Sequence, residues 1–323
     1  MTTAFVLTGG GSLGAVQVGM MAALQEQGVT PDVLVGTSVG AVNAAYLAGP
    51  GTSDGRLESL SRLWNRMRRR DVFAPHPQRW VGAVLGAAPS LFTEDPLRRL
   101  LQDNLGYAEL EHARLEVHVT AADLVTGEAA ILSAGPVVTA VLASAAVPGL
   151  LPAVTRDGRT LVDGAVGDVD ALRHADACGV DEMYLLPAGY PCAGPAPVSA
   201  AGTALTSLSL VLHHQLLHQV REYRGRAALH VVPPLCPLVV SPADFSHAAS
   251  LQNRARHATR GWLTQSASHA AEPDATALAL HHHAGWDRPP QTAWAQSPQT
   301  EGPQSPHTGD PGAHLSTLKG LTA

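Results

Sequence analysis

Ser38 lies in Gly36-x-Ser38-x-Gly40, directly after the apolar run Val33–Val35 and directly before the helix-like run Ala41–Leu47. A serine on a sharp strand-to-helix turn is lifted clear of the sheet, its hydroxyl exposed and a helix N-terminus behind it. The flanking glycines, Gly36 and Gly40, let the backbone turn without side-chain clashes. Such a serine is a candidate nucleophile for acyl transfer, but a poor one until a base takes its proton. Upstream, Gly9-x-Gly11-x-x-Gly14 follows one apolar run and opens a helix. That spacing also fits a dinucleotide-binding turn, which requires an acidic residue after the second strand to hold a ribose. Here the second strand ends in Gly36-Thr37-Ser38 instead. Backbone N–H groups at a helix start suit any developing negative charge, so an oxyanion cradle is equally compatible with the loop, as is a plain strand-to-helix turn.

The base is the next question. Sixteen histidines are present, yet none sits in a tight loop after a clear strand. His174, His213, His214 and His218 fall in helical stretches and His118 is mid-strand, positions expected of core or surface histidines. Asp163 ends the run Thr160-Leu161-Val162 and is followed by Gly164-Ala165, which leaves its carboxylate room at the sheet edge. An aspartate bonded to a serine can act as its general base. An ordinary Asp-Gly turn is the alternative for these residues.

Strands are expected at Ala4–Leu7, Val33–Val35, Leu115–Ala122, Ala129–Leu132, Arg159–Val162, Glu182–Leu186 and Leu229–Val232. Helices are expected at Ala15–Gln27, Leu57–Met67, Pro96–Leu105 with Asp95 as cap, Val137–Ser144, Ala171–Cys178, Thr203–Arg224 and Phe245–Leu263. This alternation implies an α/β fold with a mostly parallel sheet. Composition divides the chain into a domain over 1–268 and a Pro-, Gln-, His- and Ser-rich tail over 269–323, read as low-complexity and disordered apart from a short helix near Ala275–His282.

Hydrophobic residues make up 45 % and aromatics 4 %, so the core must be built from Ala, Val and Leu. The net charge of −6 argues against a nucleic-acid partner. The three cysteines, Cys178, Cys192 and Cys236, have no zinc-site spacing, and their odd number suits a reducing, cytoplasmic setting. His281-His282-His283 in the tail is read as an incidental chelator, so no metal is assigned. A cleaved leader would remove the Gly9–Gly14 loop, so none is expected, and no run is long and clean enough to span a membrane. Arg66, Arg68, Arg69 and Arg70, followed by Phe73 and Trp80, are either a peripheral membrane contact or, the preferred reading, a solvated helix end. Asp123, at a strand end, is read as a turn residue or a support of the site.

Five motifs in order resemble the patatin-like phospholipase family: the glycine loop, Gly-Thr-Ser-Val-Gly, Ala121–Glu128, Ala143–Gly149 and Asp163-Gly164-Ala165. The resemblance covers about residues 4–265. It implies a three-layer α/β/α sandwich and hydrolysis of lipid ester bonds by a Ser–Asp dyad, with Ser38 as nucleophile and Asp163 as base. The amides of Gly10, Gly11 and Ser12, in the loop bounded by Gly9 and Gly14, would form the oxyanion hole, and no cofactor is required. Two departures stand out. Leu13 occupies a position that carries Arg or Lys in many members, and Val166–Ala171 replaces a stretch that usually carries Asn and Pro. The carboxylates of Asp168 and Asp170 are expected to raise the pKa of Asp163 by like-charge repulsion. The alternatives are a non-hydrolytic lipid-binding or regulatory protein on the same fold, or a nucleotide-binding domain.

Overall fold

A computed structural model describes residues 1–75, 79, 82, 87–167, 169–189, 192, 198, 200–238, 240–266 and 275–280. Trp80, Asp168 and His281-His282-His283 lie outside the described residues.

The strands are β1 (Thr3–Leu7), β2 (Val33–Thr37), β3 (Glu116–Asp123), β4 (Ala129–Leu132), β5 (Val154–Arg156), β6 (Arg159–Asp163), β7 (Glu182–Leu186) and β8 (Ala228–Val231). They form one sheet in the order β5-β6-β3-β2-β1-β7-β8, with β4 paired to β3. Pairing is parallel among β3, β2, β1, β7 and β8 and antiparallel among β3, β4, β5 and β6. Continuous apolar runs such as Val33-Leu34-Val35 are what a parallel strand covered on both faces needs.

The helices are α1 (Gly14–Glu26), α2 (Val39–Ala48), α3 (Ser53–Arg66), α4 (Asp95–Asn104), α5 (Val137–Ser144), α6 (Ala171–Ala177), α7 (Ala200–Glu222) and α8 (Ala248–Ser266). Alternate strand residues sort into two cores. Phe5, Leu7 and Leu34 pack with residues of α1, α2, α3 and α8. Ala4, Val6, Val33 and Val35 pack on the opposite face with Leu172 and Ala175 of α6 and Leu217 and Val220 of α7. The architecture is therefore the three-layer α/β/α sandwich.

Several boundaries differ from expectation for local reasons. Helix α3 starts a turn before Leu57 because the Thr52 side chain accepts from the Gly55 amide and caps it. Asp95 is not the cap of α4 but its first residue, with Glu94 before it. The short strand β5 has no sequence signal of its own; it exists as the hairpin partner of β6 across the turn Asp157-Gly158. The short helix expected near Ala275 is a 3-10 helix over Ala275–Leu278, and Leu278 is wholly buried in the second core.

Candidate active site

The register of four strands builds the site. Thr120 pairs with Ile131 of β4 and with Thr37 of β2, while Ala121 pairs with Ala130 of β4 and with Asp163 of β6. Each residue of a strand has two edges, and β4 holds one of them at both positions. Strands β2 and β6 therefore share the other edge of β3, and they run toward each other along it. Their C-terminal ends meet at Thr120–Ala121, which sets Ser38 against Asp163.

Ser38 has φ 56° and ψ −123°, outside the comfortable regions for a side-chain-bearing residue. Its surroundings hold this conformation. The Ser38 amide donates to Ser144 Oγ at 2.8 Å, and Ser144, on α5, is fully buried. The hydroxyls of Thr37 and Thr120 lie 2.7 Å apart just below. A Cβ on Gly40 would come within 2.2 Å of the Leu7 carbonyl oxygen, so the elbow tolerates no larger residue there.

Asp163 is 4 % exposed. Burial pushes its carboxyl up to about 6, against hydrogen bonds from the Ser38 hydroxyl and the Ala165 amide that favour the charged form. The Ala165 amide lies 2.9 Å from Asp163 Oδ1. Asp170 is not among the causes of the shift; its carboxylate instead caps α6 through the Arg173 amide, and Asp168 lies outside the described residues. Among the described residues, no histidine is one of the groups acting on Asp163.

The glycine loop lies across from the elbow, with Gly9, Gly10 and Gly11 facing the same cavity as Ser38 and Asp163. The Ser12 amide differs from the role implied for it. It donates to the Pro242 carbonyl at 2.7 Å, and the Ser12 hydroxyl donates to the Ser241 carbonyl at 3.0 Å. Pro242 so occupies the loop's outer side, and Gly11, at φ 58°, accommodates it: a Cβ there would stand 2.5 Å from that carbonyl oxygen. Among the described residues, the amides of Gly10 and Gly11 donate to no partner. Leu13 is fully buried, a core residue and no part of the cavity lining.

A buried polar network fixes loop against elbow. Gln17 donates from Nε2 to the carbonyls of Thr8 and Leu186 at 2.9 and 3.0 Å. Asn43 donates from Nδ2 to the Gly14 carbonyl and to Gln17 Oε1 at 3.0 and 2.9 Å. Trp64 Nε1 donates to Asn43 Oδ1 at 2.9 Å. These residues, like Ser144, were not legible as site residues. Ser144 stands in the Ala143–Gly149 motif but carries no local sign of its contact, and Gln17 and Asn43 read as polar residues on otherwise apolar helices. That polarity on a buried face is the one signal that could have found them.

The cavity measures about 850 Å3 and is lined mainly by apolar side chains, among them Val42, Phe73, Phe92, Leu97, Leu150 and Phe245. Its size and lining suit an acyl chain. Asp123 takes no part in it. Its carboxylate accepts from the amides of Val125 and Thr126 and from Arg159 Nε, and the Arg159 guanidinium holds it below the usual carboxylate range. Arg66, Arg68, Arg69 and Arg70 are all exposed. Arg69 also lines the cavity, and Arg68 to Arg70 flank an open groove with Ser241 and Ala243–Ser246. Among the described residues no helix is long and apolar enough to cross a membrane. One group, His118, His174 and Cys178, brings potential metal-donor atoms within 4.8 Å of one another; it lies toward the opposite end of β3.

Comparison with known proteins gives the lineage. The chain is 27% identical over 184 residues to the lysophospholipase nte1 of Aspergillus terreus, a match covering 57% of this chain and 12% of that protein. It is 29% identical over 178 residues to an uncharacterised NTE family protein of Mycobacterium bovis, covering 55% of this chain and 46% of the relative. The chain thus aligns with less than half the length of either relative. Among solved structures, VipD from Legionella pneumophila aligns with a TM-score of 0.39 at 15% identity, over 82% of this chain and 67% of that one. The type III effector ExoU aligns with a TM-score of 0.38 at 17% identity, over 83% of this chain and 54% of that one. The sequence model describing the patatin-like phospholipases matches residues 5–176, more than half of the chain, and carries the elbow, the glycine loop and Asp163 within it: the chain belongs to the patatin-like phospholipase family.

Proposed function

We propose that the protein is a serine acyl hydrolase that cleaves fatty-acyl ester bonds of lipids through a Ser38–Asp163 dyad. The observation that carries this reading is the contact of a strained, positive-φ serine with a buried carboxylate at an apolar cavity. Asp163 accepts the Ser38 proton as Oγ attacks the ester carbonyl. The negative charge that develops on the carbonyl oxygen is received by the Gly10 and Gly11 amides, which border the cavity and donate to no partner among the described residues, with the N-terminus of α2 behind the nucleophile. Protonated Asp163 returns its proton to the leaving alcohol or lysolipid. A water molecule then gives its proton to Asp163, attacks the acyl-enzyme and releases the fatty acid, and the proton returns to Ser38. The acyl chain lies in the apolar cavity throughout, where its burial favours binding by about 0.8 kcal/mol per methylene.

Exposed Arg69 lines this cavity and Arg68 and Arg70 line the open groove beside it; these cations are suited to anionic lipid headgroups, which supports action at a membrane surface. The deciding experiment is labelling of the folded full chain with a fluorophosphonate probe, alongside hydrolysis of a short-chain nitrophenyl ester. Both are expected in the wild type and absent in Ser38→Ala, and Asp163→Asn abolishes hydrolysis. A folded wild type that neither labels nor hydrolyses would leave a lipid-binding module on this fold.

A further inference from the structure

We propose that Glu116, His118, His174 and Cys178 form a zinc site that ties the start of β3 to α6. The ligands come as two pairs, each set by its own periodicity. Glu116 and His118 are two apart on a strand and share its face. His174 and Cys178, the latter the C-cap of α6, are four apart and share a helix face. The fold lays one face on the other. Cys178 Sγ is 3.7 Å from His118 Nε2 and 3.9 Å from His174 Nε2, and Glu116 Oε1 is 2.8 Å from His118 Nε2. A tetrahedral centre with metal–sulfur bonds of about 2.3 Å and metal–nitrogen bonds of about 2.0 Å has edges of roughly 3.5 Å between those donors. The two sulfur–nitrogen separations need adjustments of a few tenths of an ångström, and the donor atoms of His118, His174 and Cys178 all lie within 4.8 Å of one another, so side-chain rotation closes the remaining His–His gap.

The surroundings fit a bound cation. The rings of His118 and His174 are edge-to-face with centroids 4.7 Å apart, so both direct nitrogen at the thiol. His118 Nδ1 is buried without a partner among the described residues, which leaves Nε2 as the polar outlet of that ring. Cys178 otherwise offers its thiol only weakly, to the His174 carbonyl at 3.4 Å. The Glu116 side chain, 58% exposed, is free to rotate onto the metal as fourth ligand. Two imidazoles, a thiolate and a carboxylate are a borderline donor set that suits zinc and not the hard, oxygen-seeking calcium or magnesium. With four protein ligands the centre is closed, hence structural. It would pin the strand whose Thr120 and Ala121 hold the two ends of the dyad. No cysteine pair or Cys-His run announces such a site, because a strand and a helix more than fifty residues apart in sequence supply it.

The test uses the full chain, purified without an affinity tag and offered zinc alone or cobalt(II) alone. One equivalent of zinc is expected to survive gel filtration and to raise the unfolding temperature. Cobalt is expected to give a thiolate charge-transfer band and tetrahedral d–d absorption. Cys178→Ser and His174→Ala, checked for folding by circular dichroism, should lose the band, the retained zinc and the thermal shift. The triple variant His281→Ala, His282→Ala, His283→Ala should keep all three. Failure of the wild type to retain stoichiometric metal, retention by folded Cys178→Ser, or loss in the tail variant would each overturn the proposal. None of these readouts depends on ester hydrolysis.

Discussion

Ser38 and Asp163 meet because β2 and β6 approach tip to tip along a single edge of β3, in register with its neighbouring residues Thr120 and Ala121. A serine and a carboxylate 125 positions apart in the chain are thereby held by backbone pairing and not by flexible loops. Rigid placement of this kind is what a two-residue acid–base unit needs, since, among the described residues, no third side chain orients the base, which is held beyond Ser38 only by the Ala165 amide.

Activity should follow the ionisation of Asp163. The carboxyl must be charged to take a proton, and burial holds it up to about 6. The kcat/KM profile for a neutral ester is expected to show an acid limb with a midpoint near 6 and to fall tenfold per pH unit below it. A limb centred near 4, the range of an ordinary carboxylate, would contradict this assignment.

The same burial predicts a pH-dependent stability. Because the folded-state pKa of Asp163 lies above its unfolded value, its contribution is favourable below about pH 4 and is lost as pH rises through 6. Asp163→Asn removes the ionising group. The variant should therefore gain stability relative to wild type, on the order of 2–3 kcal/mol at pH 8 and near zero at pH 4. Denaturant titrations at the two pH values check this.

Ser144→Ala leaves the Ser38 amide without its acceptor in a fully buried place. The expected cost is about 1–3 kcal/mol of stability. The positive-φ conformation of Ser38 also loses a support, so kcat should fall at least about tenfold, or ~1.4 kcal/mol in the barrier. An unchanged kcat would show that the elbow holds itself.

Asn43→Leu keeps the branched shape and the heavy-atom count but strips Trp64 Nε1 and Gln17 Oε1 of their partner. Equilibrium unfolding should show a loss of about 2–4 kcal/mol, more than a volume-conserving core substitution costs. Gln17→Leu in the same background should cost less than it does in wild type, because the two residues share one network.

Gly11→Ala places a methyl group against the Pro242 carbonyl oxygen at a positive φ. The backbone strain costs about 1–2 kcal/mol. The larger effect is expected on ester turnover, because the loop amides shift; comparison of kcat/KM with the unfolding midpoint separates the two.

The residues of the proposed dyad stand out in the sequence because short-range backbone demands mark them. A nucleophile elbow requires Gly36 and Gly40 at fixed offsets from Ser38, and a strand end requires the small residues after Asp163. Strand and helix periodicities likewise gave the parallel β-α frame and the two-sided burial. Tertiary structure decided what depends on contacts across the chain. It commits the Ser12 amide to Pro242, which removes it from the expected oxyanion donors. It makes burial, not Asp170, the cause of the raised Asp163 pKa, and it turns Asp123 into a partner of Arg159. It also sets Ser144 behind Ser38 and gathers Gln17, Asn43 and Trp64 beneath the loop. Local periodicity encodes which face a residue occupies, whereas the partner it meets there is fixed only when strands hundreds of atoms apart adopt one register.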